Sequence, residues 1–289
     1  MQDSDSLRGF LFDNMPIRGQ IVTLTSSYQE VLKRHEYPSN IACLLGEFLA
    51  AASLLGATLK QSARIILQAR GSGALKTVMA ECASDNRVRG IARGDFKVCA
   101  TQTGFKDLFV DAVLAITIEP LQGQRYQGIV PLEGDNLSQC LMGYFAQSEQ
   151  LPTSIKLAAS TQESAGILVQ QLPNHAPLEQ STTDWQTINL LIKTLRAKEQ
   201  LHLTHNDQLY LLFKEHHVRL FDAKDMRFQC HCSRHRTARA LISLGEPEIR
   251  EIYLQQELID MQCEFCGALY SFKKPFIDAL LRDQNKALR

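Results

Sequence analysis

The sequence Cys230-His231-Cys232, followed after thirty residues by Cys263-Glu264-Phe265-Cys266, decides how the C-terminal part of this chain folds. Two close cysteine pairs, separated by an insert that folds back, supply the four thiolates of a tetrahedral zinc site. The segment 226–289 is small enough that an apolar core alone would leave it marginally stable. We therefore predict that one zinc ion stabilises it. The predicted ligands are Cys230, Cys232, Cys263 and Cys266.

Two other interpretations of these cysteines are an open catalytic zinc site and four unligated thiols in a small core. A catalytic zinc normally keeps one open coordination position, and a zinc deaminase combines H-x-E with P-C-x-x-C; neither motif is present. We expect His231 and Glu264 to face solvent or to lie behind the ligands. The chain also lacks G-x-S-x-G and the P-loop spacing, so we expect that it is not an enzyme.

The charge balance argues against a nucleic-acid or membrane partner. The 289 residues contain 31 basic and 31 acidic side chains, so no global positive field gathers anions. From residue 226 onward there are ten basic and eight acidic residues, and four thiolates on one divalent ion add about two negative charges, so the net charge of this segment is about zero.

The principal alternative function is a constitutive zinc ribbon that docks a protein or a nucleic acid without switching.

The N-terminal residues and the cysteine usage predict a reducing, cytoplasmic location. Residues 1–19 carry five charged side chains and no continuous apolar run, so we expect no secretory signal. The longest apolar run, 41–59, approaches the length of a membrane span, but it contains Glu47 and many small residues. We interpret it as a buried core helix.

Residues 1–172 predict an α+β core domain, because strands and helices do not alternate regularly. One helix covers 41–59, and a second runs from Asn136 to about Glu149 with Asp135 as its N-cap. Turns are predicted at 70–73 and 84–86. The strand-like runs are 21–24, 64–69, 75–79, 114–118, 155–159 and 166–172.

Residues 173–225 predict a helical linker that cannot bury its apolar surface alone. A cap at 181–184 precedes a first helix, and a second, shorter helix follows. The apolar stripe of the first contains Trp185, Ile188, Leu191, Ile192 and Leu195, and that of the second contains Leu209, Leu211, Leu212 and Phe213. Because such helices depend on a neighbouring surface, we expect the linker to be conditionally stable. Residues 226–289 then form the zinc-binding redox-switch domain.

The Cys-x-Cys spacing of the first pair indicates redox chemistry. Oxidants attack thiolates, and two thiolates one residue apart can join once a metal no longer holds both. Structural zinc contributes about 10 to 16 kcal/mol in small modules, which exceeds the stability of a domain of this size. Oxidation should therefore unfold this domain and free the linker helices, whose apolar faces would become available to other proteins.

The other cysteines and the histidines are expected to be structural or plain surface groups. Cys43 and Cys140 lie on apolar helical stripes, which predicts buried small side chains. Cys82 and Cys99 lie near turns or strand ends, where surface thiols are an alternative. Surface positions are predicted for His202, His205, His216 and His217.

Over nearly its full length the chain resembles the heat shock protein 33 family of redox-regulated 33 kDa chaperonins. The resemblance rests on RYQGIVPLEGD at 125–135, SEQLPT at 148–153, FQCHCSR at 228–234 and CEFC at 263–266. All four cysteines expected in the family are present.

This resemblance implies a holdase chaperone that works without ATP. In such a protein the reduced, zinc-bound form is inactive. Under oxidative stress and unfolding conditions, disulfides join Cys230 to Cys232 and Cys263 to Cys266, zinc leaves, and the linker and zinc module become disordered. The activated form, often a homodimer, then holds unfolding client proteins and prevents their aggregation.

Overall fold

The computed structural model describes residues 3–102, 104–173 and 178–287, and it gives no side-chain positions for 178–181, 280–281 and 283–287. The chain forms two compact units, Met1–Gln229 and Cys230–Arg289. The described part of the predicted linker, residues 173 and 178–225, lies within the first unit.

The first unit begins with nine described strands and five α-helices. The strands are β1 (Ser6–Phe12), β2 (Ile17–Leu24), β3 (Ala63–Arg70), β4 (Leu75–Cys82), β5 (Arg87–Gly94), β6 (Val113–Pro120), β7 (Tyr126–Pro131), β8 (Thr153–Ala159) and β9 (Ser164–Gln171). The helices are α1 (Ser26–Leu32), α2 (Ser39–Thr58), α3 (Phe96–Cys99), α4 (Phe105–Leu108) and α5 (Leu137–Tyr144), the last followed by a π-helical turn, Phe145–Glu149.

The linker region continues the first unit with helices and very short strands. They are α6 (Leu178–Thr194), α7 (Ala197–His202), α8 (His205–Phe213), β10 (Val218–Leu220), β11 (Lys224–Asp225) and β12 (Arg227–Phe228). The strands β10 and β11 both pair with β1, and β12 pairs with β5.

Two six-stranded sheets lie on either side of α2. The order of the first is β10-β1-β2-β9-β8, with β11 also on β1, and the order of the second is β12-β5-β4-β3-β6-β7. The pairing is antiparallel except between β12 and β5. These mainly antiparallel sheets, whose strands do not alternate regularly with the helices, confirm the predicted α+β class.

The helix α2 contacts strands of both sheets, and this double contact explains its apolar composition. Leu45, Phe48 and Leu49 have no exposed surface. Its length and composition would suit a membrane span, but 72% of its most apolar window is buried in the protein. The prediction of a core helix is confirmed. Burial raises the pKa of the one carboxyl in this stretch, Glu47, to about 7.

Each predicted strand overlaps an observed one, but the helix ends differ from the prediction. Asn136, not Asp135, is the N-cap of α5: its side chain accepts a hydrogen bond from the backbone N–H of Gln139 at 2.9 Å. The α-helix ends at Tyr144 because the chain continues as the π-helical turn. The helix α6 begins at Leu178, before the cap predicted at 181–184.

The first sheet has a second apolar face, separate from its contact with α2. The sheet supplies Phe10, Phe12, Ile17, Ile21, Ile167 and Val169, which we call the linker-covered face. The linker region supplies Ile188, Ile192, Leu195, Leu209, Leu212 and Phe213. The ring of Phe213 lies 4.9 Å from that of Phe12 and 6.3 Å from that of Phe10, measured between centroids. The linker helices therefore bury most of their predicted stripes against a surface of the core. Leu211, which was predicted in the second stripe, is instead 50% exposed.

The second unit is small, and its core is correspondingly small. Its elements are α9 (Arg234–Ile242), α10 (Glu246–Gln255), β13 (Leu258–Gln262), β14 (Leu269–Lys273) and α11 (Lys274–Ala287). The strands β13 and β14 form an antiparallel hairpin. The buried cluster that the structure describes contains Ala238, Leu241, Ile249, Ile259, Phe272 and Ile277. A core of so few apolar side chains contributes little free energy of folding, so this unit needs a further stabilising interaction.

Candidate metal centre

The four predicted ligands meet at one place in the second unit. The first pair lies immediately before α9, and the second pair lies in the turn between β13 and β14. The four sulfur atoms all lie within 4.8 Å of one another. Sγ of Cys230 is 3.7 Å from Sγ of Cys263, and Sγ of Cys232 is 3.4 Å from Sγ of Cys266. Residues 33 or 34 positions apart are thus brought together by the fold.

These spacings fit a tetrahedral metal ion. Four sulfurs bound at about 2.3 Å from a central zinc ion lie roughly 3.8 Å from one another. The cluster found among the described residues consists of four sulfur donors, a set that suits zinc and fills all four of its positions. The arrangement fits a closed structural site. Four protein sulfurs would occupy all four positions of a bound ion, a ligand set that differs from the three-ligand pattern of a catalytic zinc.

Local sequence features position both pairs. Gly267 has a φ of +72°, and its N–H donates to the carbonyl oxygen of Cys263 at 2.7 Å. The N–H of Cys263 in turn donates to the carbonyl oxygen of Ala268 at 2.9 Å, which closes the turn around the second pair. After the first pair, the side chain of Ser233 caps α9 by accepting from the N–H of Arg236 at 3.3 Å.

Tyr270 also belongs to the site, and the sequence analysis missed it. Its hydroxyl oxygen is 3.1 Å from Sγ of Cys232. Burial raises the pKa of the Cys232 thiol, but hydrogen bonds from Tyr270 and from the other three cysteines outweigh this effect, so its pKa falls below the usual value. Burial raises the pKa of Cys266 to about 12. The sequence did contain a signal for its position. Side chains two residues apart on a strand lie on the same face, so Tyr270 lies on the same face as the buried Phe272.

The neighbours of the cysteines in sequence take no part in the cluster. Glu264 is exposed and His231 is half-buried, and neither supplies an atom to the group of four sulfurs. The carbonyl oxygen of His231 accepts a hydrogen bond from Nη1 of Arg236 at 3.0 Å, which ties the first pair to α9.

The other four cysteines are not part of this cluster, and one prediction about them was wrong. Cys43 was predicted to be buried but is only half-buried. For Cys82 and Cys99 the surface alternative does not hold, because both are buried. Cys140 is buried, as predicted. Burial raises the pKa of all four thiols, that of Cys82 to about 12, so they are protonated at neutral pH and react poorly with oxidants.

His205 was predicted at the surface, but it is fully buried at the start of α8. Its Nε2 lies 3.0 Å from Oγ1 of Thr23 on the first sheet, and its backbone N–H donates to Oδ2 of Asp3 at 2.7 Å. Burial lowers the pKa of His205 to about 4; the charge of Asp3 raises it, and that of Arg8 lowers it further. A neutral histidine therefore lies between the linker and the core.

Acid should weaken the packing of α8 on the first sheet. When α8 leaves the sheet, the pKa of His205 returns towards 6.5, so the released state binds more protons. The docked state is fully stabilised above about pH 6.5 and loses about 3 kcal/mol as the pH falls to about 4. We expect binding of an apolar dye to rise over this interval, and His205→Gln to remove this part of the rise. Parallel curves for the reduced wild type and the variant would contradict the assignment.

Comparisons with known proteins cover nearly the whole chain. A family model described as Hsp33 protein matches residues 5–273. The 33 kDa chaperonin of Pseudomonas aeruginosa strain LESB58 is 46% identical over 275 residues, which cover 94% of this chain and 93% of that protein. The 33 kDa chaperonin of Azotobacter vinelandii strain DJ is 43% identical over 275 residues, with the same coverage of 94% and 93%.

A solved structure has the same fold. The crystal structure of the 33 kDa chaperonin (heat shock protein 33 homologue) from Thermotoga maritima superimposes with a TM-score of 0.76 at 22% identity. The match covers 98% of this chain and 99% of that chain.

Proposed function

The chain belongs to the Hsp33 family of chaperones, and on that premise we propose that it is a redox-regulated, ATP-independent holdase that is inactive when reduced and zinc-bound. The observation that carries the proposal is the linker-covered face, an apolar surface of the first sheet that is buried against Ile188, Ile192, Leu195, Leu209, Leu212 and Phe213 of the linker region. The chain that forms these helices leads directly into the four-sulfur cluster. The proposed switch therefore follows, in sequence, the helices that cover this face, with the short strands β10, β11 and β12 between them.

Zinc is the ion that we propose for Cys230, Cys232, Cys263 and Cys266. A bound zinc ion would neutralise part of the charge of four thiolates and add its binding free energy to the folding of the second unit. The donor set supports this choice, because thiolate sulfur favours zinc over magnesium or calcium.

Oxidation would remove these thiolates pair by pair. We propose disulfides between Cys230 and Cys232 and between Cys263 and Cys266, as the family resemblance implies. Each disulfide takes two electrons from two thiolates and leaves sulfurs that bind zinc poorly. With its ion lost, the second unit keeps only its small apolar core, and we expect it to unfold.

Few contacts hold the linker strands, which favours release of the linker. The strands β11 and β12 have two residues each, and β10 has three. The N–H of Gln229, immediately before Cys230, donates to the carbonyl oxygen of Val88 at 3.2 Å. Unfolding that begins at Cys230 would first remove these short pairings and then leave α6–α8 held by their apolar contacts and by the hydrogen bonds of His205.

The released state would expose apolar surface on both the sheet and the helices. Rings such as Phe10, Phe12 and Phe213 would lose their partners and become available to the apolar segments of unfolding proteins. Burial of apolar surface is non-directional and needs no nucleotide, so we expect the protein to hold a broad range of clients without ATP. We further propose that the protein acts in the cytoplasm, without nucleic-acid or membrane partners, and that the activated form is a homodimer.

A client aggregation assay on matched samples tests the proposed function. Reduced, zinc-loaded protein should leave the aggregation of a heat-denatured client unchanged. Protein oxidised with peroxide at elevated temperature should suppress the aggregation, release one zinc ion per chain and contain both intramolecular disulfides by peptide mapping. Equal activity of the two samples would instead support the constitutive zinc ribbon, and no activity in either sample would contradict a holdase.

A further inference from the structure

The hydrogen bond between Tyr270 and Cys232 joins the two halves of the sulfur cluster. Tyr270 lies on β14, four residues after Cys266, whereas Cys232 belongs to the first pair, 38 positions earlier. The ring of Tyr270 packs against the small core of the second unit, and this packing fixes the position of its hydroxyl. A zinc-bound thiolate has no proton, so the hydroxyl must be the donor when the metal is bound.

We propose that Tyr270 is a positioning residue that strengthens zinc binding and slows the oxidation of Cys232, so that it sets how much oxidant the switch needs. This inference rests on the proposed function and concerns the regulation of the same site. Four thiolates around one divalent ion carry about two net negative charges, and a donated hydrogen bond withdraws part of that charge from one sulfur. Removing a side chain that forms a hydrogen bond with a metal ligand commonly weakens metal binding by about 10- to 100-fold.

The same hydrogen bond should lower the reactivity of the sulfur. In the first step with hydrogen peroxide, the thiolate of Cys232 attacks one oxygen, the O–O bond breaks, and a sulfenic acid and hydroxide form. A second thiolate then forms the S–S bond and displaces hydroxide, so two thiolates lose two electrons and peroxide and two protons become two waters. A thiolate that donates less electron density attacks more slowly. The rate falls about threefold for each unit by which the pKa of the thiol is lower.

The chain offers a matched control for this contact. Tyr253 lies in the same unit, and its hydroxyl donates to the carbonyl oxygen of Phe272 at 3.2 Å rather than to a sulfur. Tyr270→Phe and Tyr253→Phe therefore both remove one hydroxyl and keep the ring in place. Only the first removes a donor to the cluster.

The test uses the full-length reduced protein and three readouts. Competition with a chromogenic chelator should show about 10- to 100-fold weaker zinc binding for Tyr270→Phe. Zinc release by peroxide should be at least about threefold faster. With Co²⁺ in place of zinc, the sulfur-to-metal charge-transfer band should move to lower energy, a change that a general loss of stability would not produce. Tyr253→Phe should match the wild type in all three.

Circular dichroism of the metal-saturated proteins establishes that each variant is folded before it is compared. A Tyr270→Phe variant with wild-type affinity, release rate and cobalt spectrum would overturn the inference, as would equal losses in Tyr253→Phe. If the wild type binds no metal or gains no holdase activity on oxidation, the proposed function fails instead. The two failures are thus distinguishable.

Discussion

Cys263→Ser is expected to abolish zinc binding and to unfold the second unit while the two sheets of the first unit stay folded. Serine cannot replace a thiolate in a site of four sulfurs, and the apparent contribution of structural zinc is about 10 to 16 kcal/mol. A whole domain is usually stable by only about 5 to 15 kcal/mol. Metal analysis should therefore show no bound zinc, and far-ultraviolet circular dichroism should lose the helical signal of α9, α10 and α11.

Cys43→Ser is the matched control, because it makes the same change at a half-buried cysteine outside the cluster. We expect it to retain one zinc ion and the wild-type spectrum. A metal-free Cys263→Ser protein with full helical signal and a protease-resistant second unit would contradict a structural role for the metal.

Phe213→Ala is expected to make the reduced protein partly active without oxidant. Phe213 is 2% exposed and contacts the rings of Phe10 and Phe12 on the linker-covered face. Truncation of a buried phenylalanine to alanine costs about 3 to 5 kcal/mol, which shifts the docking equilibrium of the linker by roughly 10² to 10³ or more. Apolar dye binding and suppression of client aggregation should both appear in the reduced, zinc-loaded variant.

Leu211→Ala on the same helix is the control, since Leu211 is 50% exposed and is not part of the buried cluster. Its effect on dye binding should be small. The two variants should retain equal amounts of zinc, which separates release of the linker from loss of the metal. A reduced Phe213→Ala protein that is stable, binds no dye and ignores clients would show that the linker-covered face is not the surface that the switch conceals.

The cysteine cluster could be predicted because two short cysteine spacings are a recognisable sign of a four-thiolate site, although the fold brings together sulfurs 33 and 34 positions apart. Tyr270 was missed because no such spacing marks it: a single tyrosine on a strand does not indicate that its hydroxyl meets a sulfur 38 positions away.

Periodicity predicted most of the buried linker residues, although Leu211 is exposed, but it did not predict the surface that buries them. The stripe of Ile188 and Ile192 was identified correctly, whereas β1, which carries Phe10 and Phe12, was not predicted as a strand. Gly9 interrupts the apolar run of β1. The side chains of the strand also point alternately into two cores, Leu7 into the one around α2 and Phe10 and Phe12 into the linker-covered face. His205 was misplaced at the surface because its burial arises from the packing of α8 on β2, a long-range contact.

Hydrogen exchange on the full chain tests the central claim most directly, namely that a metal-dependent second unit controls whether the linker covers the first sheet. We predict that oxidised, zinc-free protein loses amide protection throughout 230–287 and in α6 and α8, while β2 and β9 remain as protected as in the reduced protein. If α6 and α8 keep their full protection after zinc has left and both disulfides have formed, the coupling between the metal site and the linker does not exist.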